Sequence, residues 1–160
     1  MNYLTSDLAK VLYERLVDCF NVFDTQYVIL MEDDVLCRGK VEIEEDCNLA
    51  MSYVPGNKVW LYDKIVEKYN PTPNVDWYGA TGGSILNRNL FTLDENVKKV
   101  NQFIEEDHDP VMGSMDQFIT TLYLLCGYDC TVNKLLGETH RTPNWQQSDL
   151  PLIHCYKDMY

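Results

Sequence analysis

The chain has 160 residues, 46% of them hydrophobic and 24% charged, which is the size and composition of one globular domain able to bury a core. Thirteen basic residues against 25 acidic ones leave a formal charge of −12, which argues against a broad basic face for nucleic acid, although an anionic small molecule could bind where a metal supplied local positive charge. No apolar stretch approaches the roughly 20 residues of a membrane span, and Met1 to Lys10 carries an acid and no apolar signal-peptide core. The six cysteines (Cys19, Cys37, Cys47, Cys126, Cys130 and Cys155) therefore read as reduced, mostly buried thiols of a cytoplasmic protein.

Ser6 and Asp7 are placed to cap a helix whose apolar face is Leu8, Val11, Leu12, Leu16 and Phe20. Asn21 to Thr25 turns the chain into Tyr27–Val35, YVILMEDDV. Its apolar run, β-branched in the centre, predicts a strand buried on both faces. The run leads into Glu32, Asp33 and Asp34, and the carboxyl end of such a strand is where an open α/β sheet presents its ligand-binding groups. Three adjacent carboxylates repel one another, and a divalent cation with oxygen ligands relieves that repulsion. A solvated acidic turn has the same pattern. A doubly wound fold usually begins with a strand, so a chain that begins with a helix looks clipped at its front.

Cys37 to Asp46 reads as a loop or short edge strand around Gly39, and residues 47 to 54 are ambiguous. Pro55-Gly56-Asn57 is a turn. Val59, Tyr62, Val66 and Tyr69 share one stripe, predicting a helix over Lys58–Tyr69 that the prolines of Asn70–Asn74 end. Within Val75–Asn89, Trp77-Tyr78 and Ser84-Ile85-Leu86 look like strand pieces around Ala80-Thr81-Gly82-Gly83. The adjacent glycines suit either a bulge or tight turn, or the close approach of a ligand or strand to the backbone.

Thr92–Glu95 has the form of a capping box before a helix with Leu93, Val97, Val100 and Ile104 inward. The acidic run Glu105–Asp109, closed by Pro110, reads as a solvated loop with His108 on the surface. Ser114 and Gln117 form a second capping box, with Phe118, Leu122 and Leu125 buried and Gly127 beyond the end. Asp116 falls in the first turn of that helix, either as an acid complementing the helix dipole or as a general base facing a cleft. Cys130–Leu136 predicts a strand, and Thr139–Asp149, with His140, Pro143, Trp145, Gln146 and Gln147, a polar aromatic loop of the kind that rims a substrate site. Leu150–Ile153 leads to His154, which can be a core residue, a third metal ligand or a contact to a bound phosphate. Cys126 and Cys130 with His140 or His154 give only a C-x3-C spacing, a weak zinc pattern.

The order of an E-D-D triplet after a strand, a Gly-Gly strand, an acid opening a helix and a late histidine resembles the GT-A glycosyltransferases, over about residues 5 to 160. Glu32-Asp33-Asp34 looks like that family's D-x-D motif, and Trp77 to Asn89 looks like its glycine-bearing acceptor-side strand, with Trp77, Thr81, Gly82 and Gly83 on the acceptor side. Asp116 stands in the place of its x-E-D acid and His154 in that of its late metal-binding histidine. The layout is most similar to compact virus-encoded members that decorate capsid glycoproteins. The resemblance implies a single domain over 1–160 of α/β class, a Rossmann-like mixed sheet flanked by helices, without the first β-α-β segment of the donor-binding half. It further implies Mn²⁺ or Mg²⁺ held by Asp34 with Glu32, Asp33 and His154, a nucleotide-sugar donor (a UDP-sugar first), and a glycan or glycoprotein acceptor. Asp116 would be the base of an inverting transfer, in a host cytoplasm if the chain is viral. Two other readings stay open: a metal-dependent phosphotransfer or phosphohydrolase domain, and a truncated remnant that folds without turning anything over.

Overall fold

The structure, a computed structural model, describes residues 5–44, 47–53, 67–68, 77–106, 114–138 and 145–154. Helix α1 (Ser6–Val22) is capped by Thr5, whose Oγ1 accepts from the Leu8 N–H at 3.4 Å, so neither Ser6 nor Asp7 is the cap. It buries Ala9, Tyr13, Leu16 and Phe20, a stripe at helical spacing, and leaves Leu8 and Val11 exposed (54% and 50%), not inward as their periodicity predicts. The aromatics decide which face turns in. Phe20 stacks on Phe91 at 4.8 Å, Tyr13 lies 5.7 Å from the same ring, and the Tyr13 hydroxyl donates to the Leu90 carbonyl at 3.2 Å.

The strands β1 (Tyr27–Leu30), β2 (Val35–Cys37), β3 (Leu49–Tyr53), β4 (Gly79–Asn87), β5 (Cys130–Val132), β6 (Leu136–Glu138) and β7 (Leu152–His154) form two sheets. One has the order β1-β4-β3-β5 and the other β2-β7-β6. Both are mixed: β3/β5 and β6/β7 are parallel, and the remaining pairs are antiparallel. With α2 (Asn89–Thr92), α3 (Asp94–Glu106) and α4 (Met115–Leu125), they make an α/β fold of mixed sheets flanked by helices, the class expected. Helix α4 is buried along its whole length from Phe118 to Leu125 and shares one core with α1, α2, α3, Leu49 and Met51 of β3, and Leu86 of β4. The Tyr123 hydroxyl inside that core donates to the Asn87 carbonyl at 2.8 Å, which is what makes its burial tolerable.

Several local expectations are corrected. Strand β1 is half-buried at a sheet edge, not buried on both faces, because its apolar run covers only one side of β4. Trp77 and Tyr78 precede β4, a single strand through Gly82 and Gly83 whose pairing with β3 is irregular at those glycines, as the bulge reading expects. The Thr92 capping box does not form: the Thr92 hydroxyl donates to the Arg88 carbonyl at 3.1 Å and closes α2, while the Leu93 carbonyl opens α3 and its side chain stays exposed. Ser114 does cap α4, its hydroxyl accepting from the Gln117 N–H at 3.4 Å. Cys130–Leu136 is divided between the two sheets at Asn133, whose side chain donates to the Gly83 carbonyl at 2.8 Å and accepts from the Leu135 N–H at 3.0 Å. Of Lys58–Tyr69 only Glu67 and Lys68 are described, and they are helical. The expectations on residues 55–57, 70–74, 107–110 and 139–144 lie outside the described residues. Among the described residues no helix is long and apolar enough to cross a membrane.

The β3/β4 register shifts between the pairs Ala50–Ile85 and Ser52–Ala80, which puts the irregularity of β4 at Thr81–Ser84, and Gly79 pairs with Tyr53 just beyond it. A Cβ on Gly79 would lie 1.9 Å from the Ser52 carbonyl oxygen, a backbone atom that cannot swing aside. Gly79→Ala is therefore expected to destabilise the fold by about 3 kcal/mol, the upper range for overpacking. Urea unfolding checks this, and an unchanged midpoint would show that β3 and β4 do not approach this closely.

Candidate metal centre

The acid triplet lies in a tight turn where the chain leaves one sheet for the other. The Glu32 carbonyl accepts from the Val35 N–H at 3.1 Å, closing a β-turn over residues 32–35 between β1 and β2. Asp33 is exposed in that turn, whereas Glu32 and Asp34 are partly buried. Val35 then pairs with His154 in the antiparallel β2/β7 ladder. That register brings the residue before Val35 to the histidine: Asp34 Oδ1 lies 3.3 Å from His154 Nε2, with side-chain exposures of 13% and 7%. One ligand atom from each of Glu32, Asp34 and His154 lies within 4.8 Å of the others. Among the described residues this is the group so gathered, and Asp33 and Asp116 are not members of it.

The Asp34–His154 geometry is informative beyond its distance. At 3.3 Å the atoms are close enough to bond, yet Asp34 Oδ1 is buried and accepts no hydrogen bond, so the ring N–H is not aimed at it. A buried acceptor left without a donor costs about 1–3 kcal/mol, more when charged. Two potential ligand atoms side by side at this separation are compatible with the spacing of cation ligands. Ligands at about 2.1 Å and at right angles around a cation stand about 3 Å apart. The donors, two carboxylates and an imidazole, are of types that bind divalent cations.

Glycine makes the room. A Cβ on Gly82 would sit 3.0 Å from His154 Nε2 and 3.2 Å from both His154 Cδ2 and Val35 Cγ2, so the backbone of β4 lies directly against the imidazole. Gly83 has φ +77°, and a Cβ there would come within 2.7 Å of Leu136 Cδ1. The close approach that the paired glycines suggest is thus made by side chains of the second sheet. Thr81 is carried by the same strand, and Trp77 is half-buried against the core. Asp116 occupies the first turn of α4, half-buried, its carbonyl accepting from the Thr120 hydroxyl at 2.9 Å.

Among the described residues Cys126 and Cys130 do not gather with His154, and His140 lies outside them. Burial pushes the Cys126 thiol up to about 12 and the Cys130 thiol higher still, so both stay protonated at neutral pH, and His154 stands with carboxylates. The reading from sequence missed a cavity of about 320 Å³ on the face of the first sheet opposite the helices. Its floor is the cross-strand pair Ala50–Ile85, and Glu44, Asp129, Asn133 and Leu135 are among its walls. The Cys47 thiol in its wall is pushed up, first by burial and then by Asp129 and Glu44. No sequence signal marks this cavity, because small and apolar residues on a strand read equally well as core.

Compared with protein-family models, with curated proteins and with solved structures, the chain matches none of them.

Gly82→Ala is expected to push the imidazole off its position and to weaken Mn²⁺ binding by about tenfold, the low end of what misorienting a ligand costs. Calorimetric titration with Mn²⁺ checks it. Unchanged affinity in a folded variant would separate His154 from the ligand set.

Proposed function

We propose that the chain is a metal-dependent glycosyltransferase of the GT-A type, moving a sugar from a nucleoside-diphosphate donor to an acceptor hydroxyl with inversion. The observation that carries this reading is the buried, unbonded Asp34 oxygen beside His154 Nε2, with Glu32 completing the set. Helices flanking mixed sheets, with the acids placed directly after a strand, are compatible with that fold type. The residues fit Mn²⁺ or Mg²⁺, and the imidazole weights the choice toward Mn²⁺, since Mg²⁺ prefers oxygen ligands throughout. With the chain at −12, a diphosphate needs such a counter-charge to bind near these acids.

A cation held by Glu32, Asp34 and His154 supplies Lewis acidity toward the negative charge that develops on the leaving diphosphate. The chain's own residues do the rest. Glu32 and Asp34 hold like charges together in a partly buried turn, and the packing of Gly82 against the ring fixes the direction of His154. Asp116 takes the proton from the attacking acceptor hydroxyl, so that bond formation at the anomeric carbon and departure of the diphosphate occur in one displacement. In this reading the donor is a UDP-sugar, and a glycan or glycoprotein hydroxyl is the acceptor.

Asp34→Ala is expected to abolish Mn²⁺-dependent binding of a UDP-sugar, measured by calorimetry, with the circular dichroism spectrum unchanged. Retained metal-dependent binding would end the assignment. Asp116→Asn should leave donor binding intact and lower transfer by about 10²-fold or more. Wild-type transfer rates in that variant would reduce Asp116 to a helix-end acid. Turnover of a simple phosphate ester without any sugar acceptor would replace transfer with phosphohydrolysis. No binding heat with any UDP-sugar and Mn²⁺ would favour the non-catalytic remnant.

A further inference from the structure

We propose that Arg38 is a positioning residue for the metal centre, pinning the segment ahead of β7 to the end of β2 and so holding His154 in register with Asp34. The proposal rests on the reading of Glu32, Asp34 and His154 as cation ligands. Among the described residues the strands of the second sheet are three residues each, so the register rests on few ladder bonds there. The encounter of Asp34 with His154 depends on Val35 pairing with His154, and a slip of one residue would turn every side chain of β7 to the opposite face.

Arg38 follows β2 directly. Its own N–H donates to the Pro151 carbonyl at 2.8 Å, one step beyond the Cys37–Leu152 pair, and so extends the ladder. Its guanidinium then collects the chain that leads into β7. Nη1 donates to the Gln146 carbonyl at 3.3 Å, and Nη2 donates to the Ser148 carbonyl, to Ser148 Oγ at 3.3 Å and to the Leu150 carbonyl at 3.3 Å. A planar fork with several fixed donors suits this task, which an ammonium on a flexible stem does not reproduce. Bonds from a charged donor are about twice as strong as neutral ones. Carbonyls at Gln146, Ser148 and Leu150 are therefore held at a fixed offset from β2, and β7 cannot slide without breaking them.

Arg38 lies at the far end of β2 from Asp34, about 13 Å away at 3.3 Å per residue, too far to touch a cation there. Its charge and its geometry therefore predict opposite signs. A distant positive charge disfavours a bound cation slightly, so deleting it would tighten metal binding if charge were all that mattered. Loss of the clamp would weaken it.

The test is calorimetric titration of the full chain with Mn²⁺ alone, beside the urea midpoint of the metal-free protein. Arg38→Ala is expected to weaken Mn²⁺ binding by about tenfold. Arg38→Lys, which keeps the charge without the fork, should weaken it by about threefold, and this variant decides the matter if Arg38→Ala does not fold. Equal or tighter Mn²⁺ binding in a folded Arg38→Ala chain would overturn the proposal, even if the metal-free midpoint falls, because a purely structural role moves only the midpoint. Wild-type affinity in Arg38→Lys would show that the fork is not needed and would also overturn the clamp. If the wild-type chain itself takes up no Mn²⁺, the reading of the three ligands fails and this proposal fails with it.

Discussion

The pairing of Val35 with His154 is the constraint on which the site depends. It joins the start of the second sheet to the last described strand and sets the Asp34–His154 distance of 3.3 Å. Little in the two local sequences enforces it. Strands this short tolerate alternative registers unless something outside them chooses. Here three things choose: Leu152 and Ile153 are fully buried, the imidazole fits only against a residue without a side chain at Gly82, and Arg38 ties the incoming segment. Each selects the same register for a different physical reason, and that agreement keeps the ligands together.

The turn between β1 and β2 also sorts three adjacent acids by environment. Asp33 is exposed, while Glu32 and Asp34 are drawn partly inside within reach of one another and of His154. Holding two carboxylates together at reduced exposure is unfavourable unless a proton or cation intervenes. The Asp34 oxygen adds to that cost, since it is buried and accepts no hydrogen bond. Most buried acceptors in a folded chain are satisfied, so an exception at a cluster of ligand types indicates a missing partner. The same logic does not extend to the acids near Cys47: Asp129 accepts from the Asn48 side chain at 2.7 Å, and the walls there are open to solvent.

How far the site was legible depended on how local each signal was. Ser114 as a helix cap and Glu32 and Asp34 as acids after a strand follow from the chain itself, because the deciding contacts are a few residues apart. Gly82 and Gly83 were readable as a place of close approach, but not what approaches, since His154 and Leu136 arrive from another sheet. On α1, Leu12, Leu16 and Phe20 face the core as their spacing predicts, but periodicity weighs Leu8 and Val11 like any aliphatics, whereas the contacts of Phe20 and Tyr13 with Phe91 leave those two outside. The burial of β1 was overestimated for a related reason. An apolar run measures how much surface a strand can hide, and its place in the sheet order decides how much it does. Arg38 carried no signal at all: a basic residue beside a glycine reads as solvated loop until its partners arrive from the far end of the chain.

The division of labour between the two sheets bears on how a ligand at this site acts. The first sheet and its helices bury a large shared core around Phe91, Phe118 and Tyr123. The second sheet has three-residue strands and touches the rest of the fold chiefly where β7 and Leu136 lie against the glycines of β4. The charged cluster is thus placed beside the shorter described strands of the second sheet. Anything that binds the folded arrangement and not the open one stabilises it in proportion to the logarithm of its concentration over its dissociation constant. At Glu32, Asp34 and His154 that gain acts directly on the β2/β7 contact, because the ligands sit at its end and at the turn that leads into it. A cation bound there would act as a staple between the sheets, and its binding would then be linked to the order of the second sheet.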